Sequence, residues 1–264
     1  MAGMDARWRL IVDGTGPGAR NMALDRALLA GRAAGSSPPT LRLYRWERPT
    51  LTLGRFQPLG DVDLDLALST DVDVVRRPTG GRAVLHDDEV TYSVTAALAD
   101  GVPRGTVASY RHFATALAAA FRDLGVETQV TEASRGQRGS ASCYLASTQA
   151  DLVVGASKLS GSAQVWEREA VLQHGSFVVS RDVAFEAALL RLPPEQRTLL
   201  EAETSTLASV TGSRPSVGRI EEAVADGFES GLGIVLEPGI YSEPELCMAR
   251  DLDKRFRVQG PSAG

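Results

Sequence analysis

Val74-Val75-Arg76-Arg77-Pro78-Thr79-Gly80-Gly81-Arg82-Ala83-Val84-Leu85-His86-Asp87-Asp88 runs from an apolar, β-branched strand through a glycine turn into a second short apolar run. Paired glycines let a backbone take positive φ and approach a ligand closely, because no Cβ intervenes. Arg76 and Arg77 set planar donor forks beside that opening, and His86 and Asp87 close the second run. Two readings are open on this stretch alone. One is a β-hairpin with solvated arginines; the other is a slot for an acyl chain ending in a carbonyl, phosphate or carboxylate.

The flanking sequence predicts mostly strands. Upstream, Trp8 to Val12 reads as a first strand, and a helix follows with Asn21 as its N-cap and Met22, Leu24, Ala27, Leu28 and Ala30 on one face. Leu41 to Trp46 alternates as a half-buried strand with Leu51 to Gly54 as its partner across Glu47-Arg48-Pro49, and Asp63 to Leu68 is a short helix. Downstream, Val90 to Thr95 is a strand, Ser109 to Leu124 a helix closed by Gly125, and Val126 to Val130 a short strand. Thr131 to Ser142 is a polar loop leading to Cys143. Asp151 to Val154, Lys158 to Gln164 and Ala170 to Val179 read as three adjacent strands. From about residue 182 the pattern turns helical: Val183 to Leu192, Pro194 to Glu203, Val217 to Ser230 and Glu243 to Lys254, with a strand at Ile234 to Leu236 and a frayed tail from Val258. The expected fold is α/β (α+β), a mixed, largely antiparallel sheet with flanking helices. No linker is long enough to separate two domains, so residues 1–264 are expected to form one.

Composition narrows the classes. A net charge of -5 argues against a nucleic-acid footprint, and 43% apolar residues supply an ample core. No apolar run approaches eighteen residues and no charged start precedes an apolar segment, so neither a membrane span nor a signal peptide is expected and the cytoplasm is the default. The two cysteines, Cys143 and Cys247, form no CxxC pair; Cys247, in an amphipathic helix, reads as a small core residue. The three histidines, His86, His112 and His174, lack metal-ligand spacing, so no metal site is expected.

Cys143 and Lys158 carry the chemistry worth testing. An ammonium near a thiol favours the thiolate, which is the nucleophile, and a lysine that has lost its proton serves as base toward an incoming amine. Lys158 lies among small residues, Gly155 to Gln164, that permit close approach; Asp151 reads either as a group that orients it or, as is more usual, as a solvated strand-end carboxylate. Spacing alone is read more simply as an inert buried thiol and a solvated lysine.

Arg76 to Asp87, Lys158-Leu159-Ser160-Gly161-Ser162-Ala163-Gln164 and His174-Gly175-Ser176 resemble three ordered signatures of the biotin/lipoate protein ligase and lipoyl/octanoyl transferase family. Asn21 to Asp25 and Leu53 to Gln57 resemble its early segments, so the likeness spans about residues 7 to 180. It implies a biotin/lipoate protein ligase-like catalytic fold. Cys143 ahead of the Lys158 signature, Arg82 where ligases usually carry a third glycine, and His86-Asp87-Asp88-Glu89 resemble the Cys/Lys class of octanoyltransferases. That class moves octanoyl from acyl carrier protein, through a cysteine thioester, to a lysine of a lipoyl-domain protein such as the glycine-cleavage H protein, and needs no cofactor. The resemblance then implies Cys143 and Lys158 as catalytic residues and Arg76, Arg77, Gly80, Gly81, His86, Gly161 and Ser162 as substrate-binding ones. Gly80 and Gly81, with Val84 and Leu85, would line the acyl slot, and backbone N–H groups near Gly161 and Ser162 would hold the carbonyl oxygen. An ATP- and Mg-dependent lipoate ligase and a non-catalytic lipoate- or octanoate-binding protein are the alternatives.

Overall fold

The computed structural model describes residues 6–131, 140–145 and 151–258. In chain order, β1 (Ala6–Gly16), α1 (Gly18–Ala33) and β2 (Thr40–Trp46) precede β3 (Thr50–Leu53), α2 (Leu64–Ser69), β4 (Asp73–Arg76) and β5 (Val84–His86). Next come β6 (Glu89–Ala97), α3 (Thr106–Asp123), β7 (Gln129–Val130), β8 (Leu152–Val154), β9 (Ser157–Ser160), β10 (Ser162–Glu167) and β11 (Ala170–Val178). The C-terminal part is α4 (Val183–Leu189), α5 (Pro194–Glu203), α6 (Leu207–Thr211), α7 (Val217–Leu232), β12 (Ile234–Pro238) and α8 (Glu243–Phe256).

The main sheet has the order β10-β11-β6-β2-β1-β12, antiparallel from β10 to β2 and parallel at β1 and β12. β6 is buried along its whole length, as the central strand of a covered sheet must be. One face carries Leu41, Leu43, Tyr92, Val94 and Phe177 into a core with Phe113 and Phe121 of α3 and Phe228 of α7. Phe121 and Phe177 stack at 4.4 Å between centroids, and removing either ring would cost about 3–5 kcal/mol. On the other face lie α1 and, packed along it, α8. Two three-stranded sheets, β4-β3-β5 and β7-β8-β9, stand beside this frame. The fold is thus mixed α and β with largely antiparallel sheets and flanking helices.

Several expectations change. Pro17, not Asn21, caps α1; Asn21 is buried inside the helix, where its amide donates to the Gly16 and Arg45 carbonyls. β2 and β3 do not pair: β2 joins the main sheet and β3 pairs with β4 and β5, because the chain at Glu47–Pro49 crosses between sheets instead of folding back. The quoted stretch is therefore no hairpin; β4 and β5 flank β3 on opposite edges. The single strand expected over Lys158 to Gln164 is split at Gly161 between the β7-β8-β9 sheet and the main sheet. The strand expected over Val126 to Val130 shrinks to β7, since Val126 is drawn into the α3 core. Cys247 is exposed on α8, whose inward positions are Leu246 and Ala249. The loop reading over residues 132–139 and the tail from 259 lie outside the described residues.

Candidate active site

Strand alternation builds the floor of the site. On the face opposite the apolar core, β2 presents Arg42 and Tyr44, β6 presents Thr91 and Ser93, and β11 presents His174 and Ser176, all buried. Buried polar groups are costly unless paired, and α1 supplies the pairing through Asp25. Its Oδ1 accepts from Arg42 Nη1 at 2.9 Å and Ser93 Oγ at 2.7 Å, and its Oδ2 accepts from Tyr44 Oη and His174 Nδ1, each at 3.1 Å. Burial alone would raise the Asp25 pKa, but hydrogen bonding from His174 and the Arg42 charge hold it below the usual carboxylate value. Burial pushes His174 down, outweighing Asp25, so the imidazole is neutral. Its Nδ1–H donates to Asp25 and its Nε2 accepts from Thr79 Oγ1 at 2.7 Å.

A second buried set fixes His86. The ring stacks on Trp46 at 4.2 Å, donates from Nδ1 to Glu89 Oε1 at 2.8 Å, and shares a hydrogen bond of 3.0 Å between Nε2 and Thr52 Oγ1. Glu89 also accepts from Ser176 Oγ at 2.6 Å and Thr91 Oγ1 at 2.5 Å. Although burial opposes its charge, His86 and these hydroxyls keep the carboxyl ionised below its ordinary pKa.

The glycine turn is held by its own arginines. Arg77 is buried, donating from Nη2 to the Gly80 and Arg82 carbonyls at 2.7 Å each and from Nη1 to the Thr52 carbonyl at 3.2 Å. Arg76 Nη1 donates to the Gly54 and Gln57 carbonyls, each at 2.8 Å. Gly81 takes a φ of +93°, and a Cβ on Gly54 would lie 2.0 Å from the Gly81 carbonyl oxygen. The glycines thus permit backbone to pack on backbone. Gly80, Gly81 and Leu85 do not line the cavity as expected; Leu85 packs into a separate apolar cluster with Leu51 and Leu53.

This turn also seats the segment that holds Cys143. Ala83 N–H donates to the Ala141 carbonyl at 3.0 Å and accepts at its own carbonyl from Cys143 N–H at 2.9 Å, a bridge that pins residues 141–143 beside β5. Two side chains not anticipated from the sequence secure the same segment. Gln57 Nε2 donates to the Ala141 carbonyl at 3.1 Å, and Glu186 of α4 accepts from Ser142 Oγ at 3.1 Å while paired with Arg181. Gln57 lies in one of the resembling segments; nothing marked Glu186, since a glutamate in the first turn of a helix usually faces water.

Cys143 opens a single helical turn and is partly exposed. Lys158, on β9, is buried, and its Nζ lies 2.9 Å from Asp151 Oδ2 and 3.2 Å from the Cys143 carbonyl oxygen. The split at Gly161 makes room for that side chain: a Cβ there would sit 2.7 Å from Lys158 Cε and 2.9 Å from Nζ. Beyond the split, Ser162 Oγ shares a 2.7 Å hydrogen bond with Tyr92 Oη. Cys143, Lys158, Gly161, Ser162, Arg77 and His86 all line one cavity with Met22, Tyr44, Trp46 and Val84, about 490 Å³ of empty space with its open mouth included. An apolar wall with a few convergent polar groups suits a small acyl ligand. Arg76 lines a neighbouring groove instead. Among the described residues no group of three or more His, Cys, Asp and Glu is placed to hold a metal ion.

Residues 17–229 match the model of the lipoyl protein ligase A/B catalytic domain. The chain belongs to that family. It is 38% identical over 262 residues to the octanoyltransferase LipM of Kyrpidia tusciae, covering 94% of this chain and 96% of that one. It is 37% identical over 261 residues to the octanoyltransferase LipM of Symbiobacterium thermophilum, covering 94% and 95%. In fold it is similar to the bi-partite lipoate protein ligase of Thermoplasma acidophilum, which was analysed with its E2 lipoyl domain; the TM-score is 0.79 at 23% identity, over 95% of this chain and 93% of that one. The fold is thus one that a lipoate protein ligase also has, and both of these sequence relatives, at 37–38% identity, are octanoyltransferases. No described helix is long and apolar enough to cross a membrane.

Proposed function

We propose that the protein is an octanoyltransferase of protein lipoylation, taking octanoyl from acyl carrier protein onto Cys143 and passing it to a lysine of a lipoyl-domain protein such as the glycine-cleavage H protein. The observation that carries this reading is the meeting of Cys143 and Lys158 on one apolar cavity, with Lys158 Nζ tied to the Cys143 carbonyl and to Asp151. Asp151 and the Cys143 carbonyl hold Nζ at the cavity wall beside the cysteine.

One proton closes the cycle. The thiolate attacks the donor thioester; the tetrahedral intermediate expels the carrier's thiolate, which takes a proton from Lys158, leaving octanoyl-Cys143 and a neutral amine. The acceptor lysine then attacks the new thioester as Lys158 removes its proton. Amide forms, the Cys143 thiolate departs, and thiolate and ammonium are restored. Covalent catalysis divides one encounter of two carriers into two simpler ones, and thioester aminolysis runs downhill without a nucleotide. In this account Met22, Tyr44, Trp46 and Val84 receive the chain, and N–H groups near Gly161 and Ser162 face the developing oxyanion.

Octanoyl-acyl carrier protein, an apo H protein and the enzyme, incubated without nucleotide, test the reading: octanoylated H protein is expected by mass spectrometry. Modification that occurs only with ATP, Mg and free lipoate would overturn it in favour of a ligase, and binding of octanoate without any modification would leave a non-catalytic binder.

A further inference from the structure

A second concavity of about 890 Å³, open mouth included, lies between α1, β10, α8 and the loops at Arg55 and Arg76–Pro78. Five arginines line it, Arg26, Arg55, Arg76, Arg77 and Arg255, against one carboxylate, Glu167. Glu167 is paired with Arg26 Nη2 at 2.5 Å, whereas Arg26 Nη1 is buried with no hydrogen-bond partner among the described residues. Arg55 and Arg255 are exposed, so the groove offers guanidinium groups to a ligand from solvent. In a chain whose net charge is -5, such a concentration of positive charge is local and specific. Arg77 is the wall common to this groove and the catalytic cavity. Phe56, next in the chain to the lining residue Arg55, is 84% exposed, and the Arg55 guanidinium lies 5.2 Å from its ring centroid.

Planar guanidinium forks in a concave site match phosphate oxygens, which they bind in bidentate fashion. We infer that this groove docks the acyl donor, receiving the phosphodiester that tethers its prosthetic arm to an acidic carrier protein, with Phe56 covered by that protein's surface. The inference rests on the transferase reading above, and it adds to that reading a separate recognition site built from α1, α8 and the Arg55 loop. An anion held beside Arg77 keeps the arm next to the cavity wall that holds Cys143 and Lys158.

The test is fluorescence-anisotropy titration of labelled carrier protein, with and without its phosphopantetheine arm, against the wild-type enzyme, Arg55→Ala/Arg255→Ala, and the remote surface control Arg122→Ala. Wild type should bind the armed carrier at least about tenfold more tightly than the armless one, in line with charge-assisted hydrogen bonds to phosphate, and raised salt should shrink that preference. The double variant should lose most of the preference and Arg122→Ala none of it. Equal binding of both carrier forms by wild type would overturn the phosphate assignment, as would full preference in the double variant. Weakened binding of the acceptor lipoyl domain alone would assign the groove to the acceptor and overturn it too. Failure of the transferase reading itself shows separately, as absence of any octanoyl adduct on wild-type Cys143.

Discussion

Replacing Gly161 with alanine tests the placement of Lys158 with one methyl group. The added Cβ would lie 2.7 Å from Lys158 Cε and 2.9 Å from Nζ, whereas ordinary contact begins near 3.4 Å. Gly161 has no left-handed φ, so the backbone accepts alanine and the strain falls on the end of the lysine side chain. The ammonium must move by at least about 0.5 Å, away from an Asp151 contact of 2.9 Å and a Cys143 carbonyl contact of 3.2 Å. Misplacing a reacting group by 1 Å costs on the order of a hundredfold in rate, so single-turnover acylation of Cys143 should slow by about 10- to 100-fold. A flexible side-chain end relaxes cheaply, and the thermal midpoint should fall by only a few degrees, about 1 kcal/mol. Stopped-flow or quenched-flow mass spectrometry reads the rate, and calorimetry the midpoint. Unchanged acylation would refute the claim that Lys158 acts from this position; a collapse of stability with a normal rate in the remaining folded protein would refute the claim that the strain is local.

Asp151→Asn should lower the acylation rate by about tenfold or more, and stability by about 3 kcal/mol, because a buried lysine loses its charge partner; retention of both would show that the pair is dispensable. Gly54→Ala drives a Cβ to 2.0 Å from the Gly81 carbonyl and should cost about 3 kcal/mol or more, while Gly80→Ala, with no atom within 4 Å, should stay within about 0.5 kcal/mol in denaturant melts. Glu245, which fastens α8 to β1, resists the upward push of burial through hydrogen bonds from Arg9, Ser37 and the Ser242 N–H, and its pKa falls to about 2. A carboxylate depressed in the folded state stabilises above its unfolded value near 4.5, and that contribution, about 3 kcal/mol, is lost as pH falls through 4.5 toward 2. Urea melts across that window should show the loss in wild type and a flatter profile in Glu245→Gln; parallel profiles would contradict it.

What could be read in the sequence followed the range of each interaction. Helices α3, α4, α5, α7 and α8 declare themselves through local periodicity and caps, and the polar alternation of β2, β6 and β11 is visible as single letters. The Cys143 and Lys158 pairing was legible only through resemblance, because fifteen residues of sequence say nothing about two sheets meeting at Gly161. Arg76 and Arg77 illustrate the harder case. As letters they are a phosphate site; in the structure both hold backbone carbonyls, and the accessible guanidinium groups come from Arg55 and Arg255, residues on distant elements. The glycine turn likewise looked like a ligand slot, yet its small residues serve Gly54 packing on Gly81 and the seating of the cysteine segment on Ala83. Only tertiary contact distinguishes these uses of the same residue types.

On the proposed thioester route, Cys143 carries the acyl group. Intact-mass spectrometry of wild type and Cys143→Ala after incubation with octanoyl-acyl carrier protein, with no nucleotide present, addresses it most directly. One octanoyl adduct is expected on wild type, disappearing when an apo H protein is added, and none on Cys143→Ala. An adduct of equal yield on the alanine variant, or transfer to the H protein by that variant, would contradict it.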